Sequence, residues 1–272
     1  QRLLQTGLDC RRRQAETARD DLRGEPVDPA VEHRGAVRLR QRADASSSED
    51  SDLLNNLGLV AIDRGDLAAA EDYLLRSVRI SEKEAPDSLE VSPTYNNLGN
   101  VAYFRGDLAS AVQYYRKSIA IQERLVPDST DIAFALSNLG VVLVEQGDLD
   151  AAEVLVRRAV ALRERLAPDS LDLAISLDSL SVLLRARGDL AGAETLLRRA
   201  LLLESTLAPG GLYVALAHAA IGELRLALDD LEGAERNLRE ALGIFSKITP
   251  GSSHEASALH TLGVICRRSQ RQ

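Results

Sequence analysis

The side chains best suited to recognition chemistry in this 272-residue chain are a set of amides and two aromatics: Asn55, Asn56, Asn96, Asn97, Asn100, Asn138, Tyr103 and Phe104. Asparagine is a mediocre helix former because its amide competes for backbone hydrogen bonds. Yet NNLGNVAYF (Asn96–Phe104) has helical spacing. Asn96, Asn100 and Tyr103 share one face of such a helix, and Asn97, Asn100 and Phe104 its neighbour. An amide offers both a donor and an acceptor, which matches the C=O and N–H of an extended polypeptide. The same groups could instead bond to neighbouring backbone or side chains and tie the protein to itself. Tyr103 and Phe104 could anchor a ligand side chain or fill space between elements.

No catalytic constellation competes with this reading. Nucleophilic catalysis needs nucleophile, base and orienting group within hydrogen-bond reach, and His33, His218, His254 and His260 are scattered. His260 and Cys266 are six residues apart, about 240° around a helix. Cys10 and Cys266 lie near opposite ends, with no metal-ligand spacing and no disulfide framework. The glycines that recur at a fixed interval stand singly, so no glycine-rich phosphate-binding loop is present. No catalytic residue, metal or cofactor is expected.

The elements that must position the amides come from one period. Gly58, Gly99, Gly140, Ser181, Gly222 and Gly263 are each 41 residues from the next. A Gly-Asp-Leu turn keeps the same phase at Gly65, Gly106, Gly147 and Gly188, with Asp229 in the fifth copy. Alanine recurs at Ala70, Ala111, Ala152, Ala193 and Ala234, and proline at Pro86, Pro127, Pro168, Pro209 and Pro250. Each marker has a mechanical reason. Gly106 can take the left-handed conformation that ends a helix, and Asp107 can cap the next one. Pro127 stops that second helix. Ser92-Pro93 reads as an N-cap with proline at the first helical position.

Each unit is therefore predicted to be a helical hairpin, with a helix A of about 14 to 16 residues and a helix B of roughly 18. Tyr95, Leu98, Gly99 and Ala102 form the stripe of helix A facing helix B; Ala111, Tyr115, Ser118 and Ile119 answer it. No single hairpin buries both faces, so neighbours must stack. The expected fold is all-α, a right-handed superhelical α-solenoid. Its boundaries are a degenerate leading hairpin and loop over 1–50, five units (51–91, 92–132, 133–173, 174–214, 215–252) and a capping helix and tail over 253–272. Within the first segment, helices are expected near Leu3–Leu22 and Asp28–Ala43, with a loop over Asp44–Asp50. At the other end, Arg267, Arg268 and Arg271 suit a solvent-facing cap.

These residues together resemble the tetratricopeptide repeat, in a long form similar to kinesin light chains. That form also occurs in bacterial proteins fused to caspase-like (CHAT) proteases or signalling NTPases. The resemblance implies that the A helices line a concave groove into which the amides point, since asparagines at such positions clamp peptides in related domains. Relatives that grip a C-terminal carboxylate carry basic residues at the positions of Asn55, Leu59, Asn96 and Asn100, so carboxylate capture is not expected. Asp52, Asp63, Glu145 and Asp178 would make the groove acidic and favour neutral or basic partners.

Charge agrees with a protein partner. The net charge is -8 and the pI about 5.2, which disfavours the phosphate contacts of an RNA-reading helical repeat. No apolar run approaches the roughly 18 residues of a membrane span, and no signal peptide is visible. The expectation is a non-catalytic, cytoplasmic scaffold holding a protein or peptide, without nucleic acid or membrane. The alternative is the regulatory segment of a larger effector, packed on other domains of its own parent chain.

Overall fold

The computed structural model describes residues 48–269 of the chain. The described residues form eleven α-helices and no strand. In chain order they are α1 Ser48–Asp63, α2 Leu67–Glu84, α3 Val91–Phe104, α4 Leu108–Leu125, α5 Asp131–Gln146, α6 Leu149–Leu166, α7 Leu171–Ala186, α8 Leu190–Leu207, α9 Leu212–Ala227, α10 Leu231–Ile248 and α11 Ser253–Ser269. The two kinds of helix have the expected lengths, 14–16 residues for α1, α3, α5, α7 and α9, and 18 for the helices that follow each of them.

The turn chemistry recurs from unit to unit. Gly106 sits at φ 80°, and its N–H donates to the Tyr103 carbonyl at 2.8 Å. Asp66, Asp107, Asp148, Asp189 and Asp230 then each accept the N–H three residues on, at 2.8–3.2 Å. This satisfies one of the orphan donors of each 18-residue helix. Hydrogen bonds from Ser110 hold the Asp107 carboxyl below its usual range. Asp229 adopts φ 62° where the other units have glycine, and Arg268 lies 3.7 Å from its carboxylate. At the far end, the N–H of Ala85, Val126, Ala167, Ala208 and Thr249 closes each helix. The proline that follows prevents continuation.

Two expectations need correction. Helix α3 begins at Val91, so Ser92 is not its N-cap. Ser92 is buried instead, with its Oγ 3.3 Å from the Ser118 Oγ and accepting from the Gln122 amide. Packing against α4 outweighs the local capping preference. The loop expected over Asp44–Asp50 also ends early, because α1 starts at Ser48. The helices expected within residues 3–43 lie outside the described residues.

The helices fall into two compact units, α1–α5 and α6–α11. In the first, Ala70, Leu74, Val78, Val91, Tyr95, Leu98 and Val101 form a continuous core. Gly99 is needed for close approach, since a Cβ there would fall on the Tyr115 ring. In the second, Ala234, Leu238, Ala241, Phe245, Ala258 and Ile265 pack together, and Gly222 admits Leu238. Large residues over small ones set the helix spacing in both.

Candidate functional site

The amides lie on α1, α3 and α5, all within the first unit, and they bond to one another. Asn97 donates to Asn55 Oδ1 at 3.0 Å, and Asn138 donates to Asn96 Oδ1 at 3.0 Å. Asn138 also reaches Asn100 Oδ1 at 3.3 Å, where the Tyr115 hydroxyl donates at 2.8 Å. Tyr103 follows the same rule, donating its hydroxyl to Glu145. The three longest-range bonds each span 42 residues. They therefore join neighbouring helices one residue out of phase with the 41-residue repeat.

Burial divides the set in two. Asn97, Asn100, Asn138 and Tyr103 are at most 8% exposed. A buried amide left without partners is expensive, so these residues stiffen the wall that the three helices form. Asn55, Asn56, Asn96 and Phe104 are half-buried. Asn55 and Asn96 enter the ladder as acceptors, and their amide nitrogens bond to no other described residue. The Asn56 side chain makes no hydrogen bond among the described residues. Phe104 packs at 6.0 Å from the Tyr103 ring in a tilted arrangement. Of the acidic residues expected to charge this wall, Asp52 is exposed and Asp63 and Glu145 are half-buried. Asp178, in the second unit, is buried and adds no charge to any open face.

A second feature of the first unit escapes the periodic reading. A cavity of about 260 Å³ opens between α2, α3 and α4, lined by Glu82, Asp87, Tyr95, Lys117, Ala120, Ile121 and Arg124. Its charges are largely paired. Tyr95 donates to Glu82, Lys117 stands 4.8 Å over the Tyr95 ring, and Arg124 donates to the Asp87 carbonyl at 2.7 Å. Burial, with the Glu82 contact second, pushes the Tyr95 phenol far above its ordinary range, so it acts as a donor and never as a base near neutrality. The sequence did not mark the cavity: Pro86-Asp87-Ser88 recurs as Pro127-Asp128-Ser129 and Pro168-Asp169-Ser170, and of these three aspartates Asp87 alone takes a positive φ, 57°.

Among the described residues, no group of three or more His, Cys, Asp or Glu is placed to hold a metal ion. No described helix is long and apolar enough to cross a membrane.

The tetratricopeptide repeat model matches residues 49–124 and 131–201. No curated protein matches the sequence. Among solved structures, the fold is similar to BtubC (BKLC) from P. vanneervenii, with 18% identity, 81% of this chain and 89% of that chain covered, and a TM-score of 0.62. It is similar also to the nearly identical TPR-like repeats of a Podosopora anserina protein assigned as a kinesin light chain, with 17% identity, coverage of 75% and 99%, and a TM-score of 0.57. The Cut9-Hcn1 hetero-tetramer of the APC/C gives 16% identity, coverage of 88% and 40%, and a TM-score of 0.66. At such identities the likeness concerns the fold.

Proposed function

Because the chain belongs to the tetratricopeptide repeat family, whose fold is typical of protein–protein interaction scaffolds, we propose that it is a non-catalytic scaffold holding a partner polypeptide against the α1–α3–α5 wall. One observation carries this reading. The half-buried Asn55 and Asn96 enter the ladder through Oδ1 alone, and half-buried Asn56 is outside it, so their amide N–H groups are not used by the bonds between the buried amides. A partner's backbone carbonyls can therefore take up amide donors without breaking the internal bonds. Asn97, Asn100, Asn138 and Tyr103 position that surface from behind, and Phe104 supplies an apolar contact at its edge.

The amide face suits an extended, neutral or basic segment of a cytoplasmic protein. Asp52 is exposed beside it, and no basic residue occupies the amide positions. Peptides selected from a displayed random library against the whole chain provide the test. Paired Asn56→Ala and Asn96→Ala should weaken the selected peptides by about tenfold or more. Gln113→Ala, exposed on α4, should leave them unchanged. Equal affinity for the double variant, with helicity intact, would refute this placement.

A further inference from the structure

One junction between consecutive second helices differs from its counterpart further along the chain. Between α6 and α8, Glu164 on the first helix and Arg199 on the second form a direct ion pair. The α7 residue of that register is Leu177, which is fully buried and has no polar side-chain atom. Two periods earlier the same three positions hold Glu82 on α2, Lys117 on α4 and Tyr95 on α3. The charge types match, yet the pair is not made.

The Tyr95 hydroxyl accounts for the difference. It donates to Glu82 and holds that carboxylate toward α3. Lys117 is left 4.8 Å over the Tyr95 ring, with no ion pair among the described residues. One cation thus lacks an anion, and one anion is answered only by a neutral phenol. Both line the cavity of about 260 Å³.

The rest of the lining narrows what can enter. Arg124 donates to the Asp87 carbonyl at 2.7 Å and lies 3.4 Å from the Asp87 carboxylate, so these two charges largely answer each other. Lys117 and Arg124 stand two turns apart on α4, with Ala120 and Ile121 between them. Tyr95 and Ile121, 4% and 5% exposed, give the cavity an apolar floor. Its volume falls below the roughly 300–1,000 Å³ of sites for drug-sized ligands, so its occupant is smaller. A lone anion would meet Glu82 and Asp87 as well as Lys117, and a lone cation would meet Lys117 and Arg124. A small molecule carrying both signs gains from both.

We propose that this cavity binds a free α-amino acid with an apolar side chain. Its carboxylate accepts from the Lys117 ammonium, its ammonium donates to the Glu82 carboxylate, and its side chain rests on Tyr95 and Ile121. The Tyr95 hydroxyl is a positioning group that keeps Glu82 from closing on Lys117. The ligand stands between two charges that meet directly at Glu164 and Arg199. The inference is independent of the amide wall, since none of its asparagines lines the cavity.

The test is isothermal titration calorimetry of the whole chain with L-leucine, L-valine and L-phenylalanine. Saturable one-to-one binding of at least one of them is expected below about 10 mM. The N-acetyl and amide derivatives of that amino acid each lack one charge and should bind about tenfold more weakly or worse. Lys117 is exposed, so Lys117→Ala should keep its circular dichroism and lose about tenfold or more in affinity. Tyr95→Phe keeps the ring and lets Glu82 reach Lys117, so it should weaken binding as well. Lys247→Ala, exposed on α10, should leave binding unchanged. Saturation by none of the three amino acids would overturn the proposal. Equal affinity for the N-acetyl derivative would overturn it too, because the ammonium is then not read. Undiminished binding to Lys117→Ala would overturn it by placing the ligand elsewhere, and undiminished binding to Tyr95→Phe would overturn the positioning role of the hydroxyl.

Discussion

Arg163 on α6 shows how far one side chain can depend on its surroundings. It is fully buried, donating at 2.6 Å to the Asp172 carbonyl and at 2.8 Å to Ser176 Oγ. Truncation opens a cavity and strips two neutral acceptors of their donor, so Arg163→Ala should cost about 2–5 kcal/mol, measured by urea unfolding. Arg163→Met keeps the volume and should cost less. Asn138 is a milder case, because Asn138→Ala leaves Asn96 and Asn100 short of a donor. A loss of about 1–3 kcal/mol is expected, whereas Asn56→Ala should change stability by less than about 0.5 kcal/mol. That contrast separates the amides that build the wall from those at its surface. Tyr95 links the fold to alkaline pH. Its folded pKa lies above the ordinary phenol value of about 10, so the folded chain holds this proton more tightly than the unfolded one. Its contribution is complete below pH 10 and declines as pH rises beyond it. Tyr95→Phe should remove this late-titrating phenol from the absorbance profile and flatten the alkaline loss of stability.

At the scale of helices, the turns and crossings carry the argument. Asp229 occupies a left-handed position that glycine fills in the other units, and its side chain gains only a 3.7 Å contact with exposed Arg268. Asp229→Gly should therefore stabilise α9–α10 by about 1 kcal/mol, read as a rise in melting temperature. Gly99→Ala works in the other direction. The added methyl meets the buried Tyr115 ring, whose hydroxyl is fixed by Asn100. Overpacking of this kind costs about 1–3 kcal/mol. The glycines, the Asp caps and the closing prolines were all readable from their common period, because each acts locally on the chain. The start of α3 was not. Local preference put Ser92 at the cap, while its burial against Ser118 and Gln122 decided otherwise.

Within each compact unit, helices contact chiefly the next in chain order, so stability there spreads by nearest-neighbour terms. Gly99→Ala should accordingly raise amide hydrogen exchange in α3 and α4 and leave α9 and α10 protected, as mass spectrometry can resolve. The period alone determined the all-helical class, the two helix lengths, the turns and the stripes that pack within a hairpin, since each follows from short-range sterics repeated every 41 residues. Tertiary structure decided what the asparagines do. Their bonds cross from one repeat to the next, two of them with a 42-residue offset, and no spacing within one helix encodes which residues of two helices come side by side.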